Sequence, residues 1–111
     1  MEGSQSVARF AGSLLVLRCD MTSRTVSLQR PGGPGQGSVP FTVLTSNGNR
    51  QLAAAALPGP PVSVSVSFTG RDGMLDAIAF SRGRFAVETA GLATLYVPSW
   101  PEISRVVEDC R

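Results

Sequence analysis

Cys19 and Cys110 are the only cysteines in a chain that carries no histidine and no lysine. A cysteine nucleophile needs a base or cation beside it, most often histidine. Without histidine there is no Ser-His-Asp or Cys-His arrangement and no zinc site of ordinary ligands. Without lysine there is no Schiff base, no Ser-Lys dyad and no phosphate-binding loop ending in Gly-Lys-Ser. Carboxylate chemistry remains. Asp20, Asp72, Asp76, Glu88, Glu102, Glu108 and Asp109 could in principle supply an acid–base pair. Several of them also have a plain structural reading. Asp72 and Glu102 stand where helix caps belong, Asp20 begins a turn, and Glu108 and Asp109 fall on the outer side of a terminal helix. The residue types point to no catalytic residue, no metal and no cofactor.

Every positive charge is an arginine, and the net charge is only +2. That is too little for a phosphate-backbone footprint, so nucleic acid is not expected as a partner. Of the five phenylalanines, Phe68, Phe80 and Phe85 read as core rather than as stacking platforms. Arg71, Arg82, Arg84, Arg105 and Arg111 gather in the C-terminal half. Arg82-Gly83-Arg84 reads either as a small anion site or as ordinary pairing with Glu88, Glu108 or Asp109. Tyr96 and Trp100 flank Pro98-Ser99. Trp100 reads either as a staple between helix and sheet or as an exposed aromatic anchor for a partner. Trp100, Tyr96, Arg82 and Arg84 are thus the candidate partner-binding residues.

The elements that must position these residues are mostly short strands. Leu15, Leu17 and Cys19 alternate with Val16, Arg18 and Asp20, and Val26 and Leu28 continue after a turn at Met21-Thr22-Ser23. Arg30 to Pro40 holds four glycines and three prolines and reads as a solvated loop. Phe41, Val43 and Thr45 alternate next. Asn47-Gly48 predicts a type I′ hairpin turn with positive φ at both positions, returning along Gln51 to Leu57. After Pro58-Gly59-Pro60-Pro61, Val62, Val64, Val66 and Phe68 alternate with serines and Thr69, a half-buried strand. Met74, Leu75, Ile78 and Ala79 share one side of a helix over Gly73 to Arg82, with Asp72 as N-cap and Gly83 as the residue past its end. Arg84 to Thr89 and Ala93 to Val97 form a hairpin around Ala90-Gly91. Ser99 and Glu102 have capping-box spacing, and Ile103, Val106, Val107 and Cys110 make the buried stripe of a final helix. Both cysteines therefore point inward from element ends, where they either bond or sit as separate buried thiols.

A chain of 111 residues with 42% hydrophobic and 16% charged residues is one globular domain, 1–111. Its longest apolar run, Leu52 to Leu57, is too short to span a membrane. Met1 to Ser6 shows neither the basic nor the apolar region of a signal peptide. The chain is read either as cytoplasmic or as the mature part of an exported protein.

Leu75-Asp76-Ala77-Ile78-Ala79-Phe80-Ser81-Arg82-Gly83-Arg84-Phe85, with Leu95-Tyr96-Val97-Pro98-Ser99-Trp100-Pro101-Glu102 and Arg105-Val106-Val107-Glu108-Asp109-Cys110-Arg111, looks like small uncharacterised proteins of alphaproteobacteria. The layout of short helix, hairpin and cysteine-bearing final helix loosely resembles the invasion-associated locus B family of exported proteins. Neither resemblance supplies a catalytic residue or a ligand. Both imply export to the periplasm, an oxidising compartment in which the cysteines would pair.

The expected fold is mostly β with two short helices (α+β): about seven or eight antiparallel strands in a sandwich or open barrel, with the last helix packed on it. The expected function is a non-catalytic exported protein, periplasmic or secreted, that binds a protein or an envelope component. The alternatives are a small-ligand carrier with a β-barrel cavity and a periplasmic enzyme inhibitor.

Overall fold

The computed structural model describes residues 5–111. The leader reading of Met1 to Ser6 falls mainly on residues 1–4, outside the described residues. The described chain forms strands β1 (Gln5–Phe10), β2 (Leu15–Asp20), β3 (Thr25–Pro31), β4 (Ser38–Thr45), β5 (Gly48–Leu57), β6 (Ser63–Thr69), β7 (Arg84–Thr89) and β8 (Leu95–Pro98), with helices α1 (Gly73–Ala79) and α2 (Pro101–Asp109). All eight strands belong to one antiparallel sheet in the order β1-β2-β3-β6-β5-β4-β7-β8.

The sheet is rolled. Arg30 in β3 donates to the Thr89 hydroxyl in β7 at 3.2 Å, although β6, β5 and β4 lie between these strands in the sheet. Four strand spacings would separate them by about 19 Å if the sheet were flat. The contact runs across the inside of a curled sheet, so the open barrel is the form adopted rather than two stacked sheets. Its interior is filled by Leu15, Leu17, Leu28, Phe41, Val43, Val64 and Val87, none more than 1% exposed.

Period-2 patterning explains most of this. In β6, Val64, Val66 and Phe68 face inward. β2 alternates the same way and places Cys19 on the buried side. β1 has a weaker signal: its inward residues are Ser6, Ala8 and Phe10, while the larger Val7 faces out. Apolar alternation does not single it out, and only pairing with β2 makes it a strand.

Two connections carry the chain over the barrel ends. From β3 to β4 it passes β6 and β5, about 14 Å at the usual strand spacing, through residues 32–37. Gly32 donates to the Val62 carbonyl and Gly37 accepts from Ala56. Gly32, Gly33, Gly35 and Gly37 all take positive φ, and a Cβ on Gly33 would lie 2.8 Å from Val64. The glycines let the backbone cross flush against β6. The loop is shorter than its composition predicts, because Arg30, Pro31 and Ser38 to Pro40 join strands. At the other end α1 carries the chain from β6 back to β7 and buries Met74, Leu75 and Ile78.

Helix α2 buries Ile103, Val106 and Val107. It runs along the free edge of β1: Trp100 at its start packs on Phe10 at 6.3 Å, Arg105 donates to the Val7 carbonyl, and Ser6 donates to Asp109 at 2.6 Å. A helix over an exposed strand edge removes a template for unwanted pairing. The other edge, β8, has four residues and ends in Pro98, which lacks the amide another strand would need.

Four local expectations change. The β4–β5 register pairs Thr45 with Gly48, so the turn centres on Ser46-Asn47, and only Gly48 takes positive φ there. Side chains decide this: Thr45 Oγ1 donates to the Gly48 carbonyl and Asn49 Oδ1 accepts from the Thr45 amide. Helix α1 ends at Ala79 with Phe80 as C-cap, so Gly83 lies beyond its end and instead turns the chain into β7 at φ 74. The capping box is not formed. Trp100 is the N-cap of α2, with no side-chain cap bond, and Pro101 sits in the first turn. Proline forces an extended conformation on the residue before it, so the helix starts one residue past Ser99. Ser99 Oγ is left buried without a partner. Finally, Phe80 is 69% exposed rather than core.

Candidate partner-binding surface and the disulfide clasp

Cys19 and Cys110 are bonded, with Cα atoms 5.7 Å apart and a sequence separation of 91. Both are buried. The period-2 strand delivers one sulfur inward and the period-3.6 helix delivers the other. Around the bond the chain is held further. Arg111 pairs with Asp76 at 2.9 Å and donates from Nε to the Gly70 carbonyl at 2.7 Å. Arg24 donates to the Arg111 carbonyl. The hydrogen bond that Arg111 donates to Asp76, reinforced more weakly by Glu108, holds the guanidinium above its already high ordinary value.

Asp20 and Asp72, two of the carboxylates read as structural, have such partners. Asp20 accepts from the Thr22 and Ser23 amides and makes the turn after β2. Asp72 caps α1 through the Met74 amide at 2.8 Å and pairs with Arg50 at 2.9 Å. The Arg50 hydrogen bond foremost, then the Met74 amide, holds the Asp72 carboxyl below its usual range despite partial burial. A lowered folded-state value means that this contribution is present above the ordinary carboxylate range and lost as pH falls through the folded value. Asp72→Asn keeps a side-chain oxygen for the cap but loses the charge facing Arg50, and is expected to cost up to about 1 kcal/mol at neutral pH, the range of a partly exposed ion pair. The difference from the unaltered protein should shrink in strong acid, below the lowered folded-state value, where the carboxyl is protonated in both states. Urea unfolding at both pH values measures it; an equal difference at both would refute the assignment.

The four candidate partner-binding residues lie on and beside the β7–β8 hairpin. Register places Arg84 opposite Pro98 and Ala86 opposite Tyr96, so Arg84 and Tyr96 share the outer face. The Arg84 guanidinium carbon lies 4.9 Å from the centre of the Tyr96 ring, a cation–π contact. Tyr96 is 62% exposed and Trp100 55% exposed. Trp100 rests one side on buried Phe10 and turns the rest to solvent. Arg82 is exposed, and its amide donates to Ser46 Oγ. The segment before β7 is braced: Ser81 Oγ accepts from the Ser46 amide and donates to the Arg84 carbonyl, and Asn47 donates to the Phe80 carbonyl. The pairing of this arginine group with Glu88, Glu108 and Asp109 gives way to Arg84 on Tyr96, Arg105 on the Val7 carbonyl and Arg111 on Asp76. Phe80, which reads from sequence as core, directly follows α1 as its C-cap. The helix ends at that residue, and this turns the ring outward.

Among the described residues no cluster of three or more potential ligands could hold a metal. No helix there is long and apolar enough to cross a membrane. The chain matches no protein-family model, no curated protein and no solved structure.

Proposed function

We propose that this is a non-catalytic exported protein, periplasmic or secreted, that binds another protein or an envelope component through the outer face of β7–β8. The observation that carries the reading is the exposure of Tyr96 and Trp100 on a braced hairpin with Arg84 stacked on Tyr96. Exposed Tyr, Trp and Arg on a rigid support are the side chains that concentrate binding energy at interfaces. The disulfide and the resemblance to exported alphaproteobacterial proteins support the compartment. A β-barrel carrier would need interior space, and the interior is filled by Phe41, Leu28 and their neighbours.

A photo-crosslinking residue in place of Tyr96, in cells that make the protein, tests the reading. A discrete adduct is expected in the exported fraction, and Trp100→Ser with Arg84→Ser should reduce it about tenfold or more, the scale of one interface hot spot. An adduct indifferent to those changes, or a protein found reduced and cytoplasmic, would count against it.

A further inference from the structure

Arg30 is a buried cation that lies apart from the β7–β8 outer face. It is 6% exposed and points inward from the end of β3. Its two hydrogen-bond partners are neutral: the Thr89 hydroxyl at 3.2 Å and the Ala93 carbonyl at 2.9 Å. Its Nε is buried with no partner. Among the described residues Arg50 pairs with Asp72 and Arg111 with Asp76, and no carboxylate pairs with Arg30. A guanidinium does not deprotonate, so the charge stays. Burying it unpaired is costly, and an apolar side chain of similar length would close the barrel end without that cost.

This end of the barrel is covered. The glycine-rich crossing at residues 32–37 passes over this end of the barrel, and Leu92 lies against Gly32. Thr89 and Ala93 occupy the Nη groups once each, which leaves the Nε edge. That edge presents two parallel N–H groups matched to two oxygens of an oxyanion.

We propose that Arg30 is the cationic centre of an oxyanion site at this barrel end, taking a carboxylate or phosphate group on its Nε edge beneath the glycine-rich crossing. Such a group supplies the missing counter-charge and satisfies the orphaned N–H together. It lies apart from the β7–β8 outer face and does not depend on that reading.

The test follows the Arg30 Nε–H resonance of the intact protein while inorganic phosphate, or separately acetate, replaces chloride at constant ionic strength. A saturable shift is expected with at least one of them, with a parallel rise in the thermal midpoint. A response to acetate alone identifies a carboxylate site and a response to phosphate alone a phosphate site. Arg30→Gln should weaken binding by about tenfold or more, the value of a lost charge-assisted pair. A resonance unmoved by both anions at tens of millimolar overturns the proposal, as does an Arg30→Gln protein that binds equally well. Should that variant fail to fold, the resonance in the unaltered protein decides alone.

Discussion

Replacing Cys19 and Cys110 together with alanine is expected to lower the unfolding free energy by about 4.5 kcal/mol. The chain-entropy estimate follows from the sequence separation of 91 that the bond closes. Domains of this size hold about 5–15 kcal/mol in total, so this is a large fraction. The native fold should survive, because Ile103, Val106 and Val107 still bury the same stripe of α2. Urea unfolding of the oxidised protein and the double variant gives the difference. A loss under about 1 kcal/mol would mean that packing of α2 alone holds the helix on β1 and β2, and that the loop-entropy account fails here. Intact mass without reductant should be lower by two hydrogens than after reduction.

Gly70→Ala is expected to cost about 3 kcal/mol, the upper part of the usual range for overpacking. Gly70 follows β6 and lies against the chain beside the disulfide. A Cβ there would stand 2.2 Å from the Cys110 carbonyl oxygen and 3.2 Å from that of Arg24. The obstacle is backbone on both sides, and it cannot swing aside. Gly70 also donates to the Arg24 carbonyl and accepts from Arg111, so the segment has little room to retreat. The disulfide holds Cys110 against it. In the cysteine-free background the same substitution should cost far less, since the C-terminal strand of contacts can lift away. The pair should therefore be non-additive by more than about 1 kcal/mol, the signature of residues that share one contact. Four proteins in a double-mutant cycle measure this; additive costs would show that Gly70 is required for some reason other than the clasp.

These two results probe a feature read from opposite ends of the chain. Alternation in Leu15, Leu17 and Cys19 turns one thiol inward, and the spacing of Ile103, Val106, Val107 and Cys110 turns the other inward. The candidate surface was legible in type but not in arrangement. That Tyr96 and Trp100 are aromatic and near arginines is a matter of sequence. That Arg84 lies over Tyr96 depends on the β7–β8 register. Ser99 shows the converse: its spacing to Glu102 matched a capping box, but Pro101 constrained Trp100 and moved the cap past it. Arg30 was hidden altogether, because it opens a run of glycine and proline that reads as solvated loop.

The sequence by itself determined the local periods: which residues alternate, which form a helical stripe, where glycine and proline interrupt them, and which chemistries the absent histidine and lysine exclude. Period is a property of neighbouring residues, so it survives without knowledge of distant ones. Only the tertiary structure decided that β6 lies beside β3 and β7 beside β4, that β1 joins the sheet, that Phe80 faces outward, and that a buried arginine closes one end of the barrel. Each of these depends on contacts between segments far apart in the chain, where burial is set by what the sheet brings opposite rather than by any local pattern.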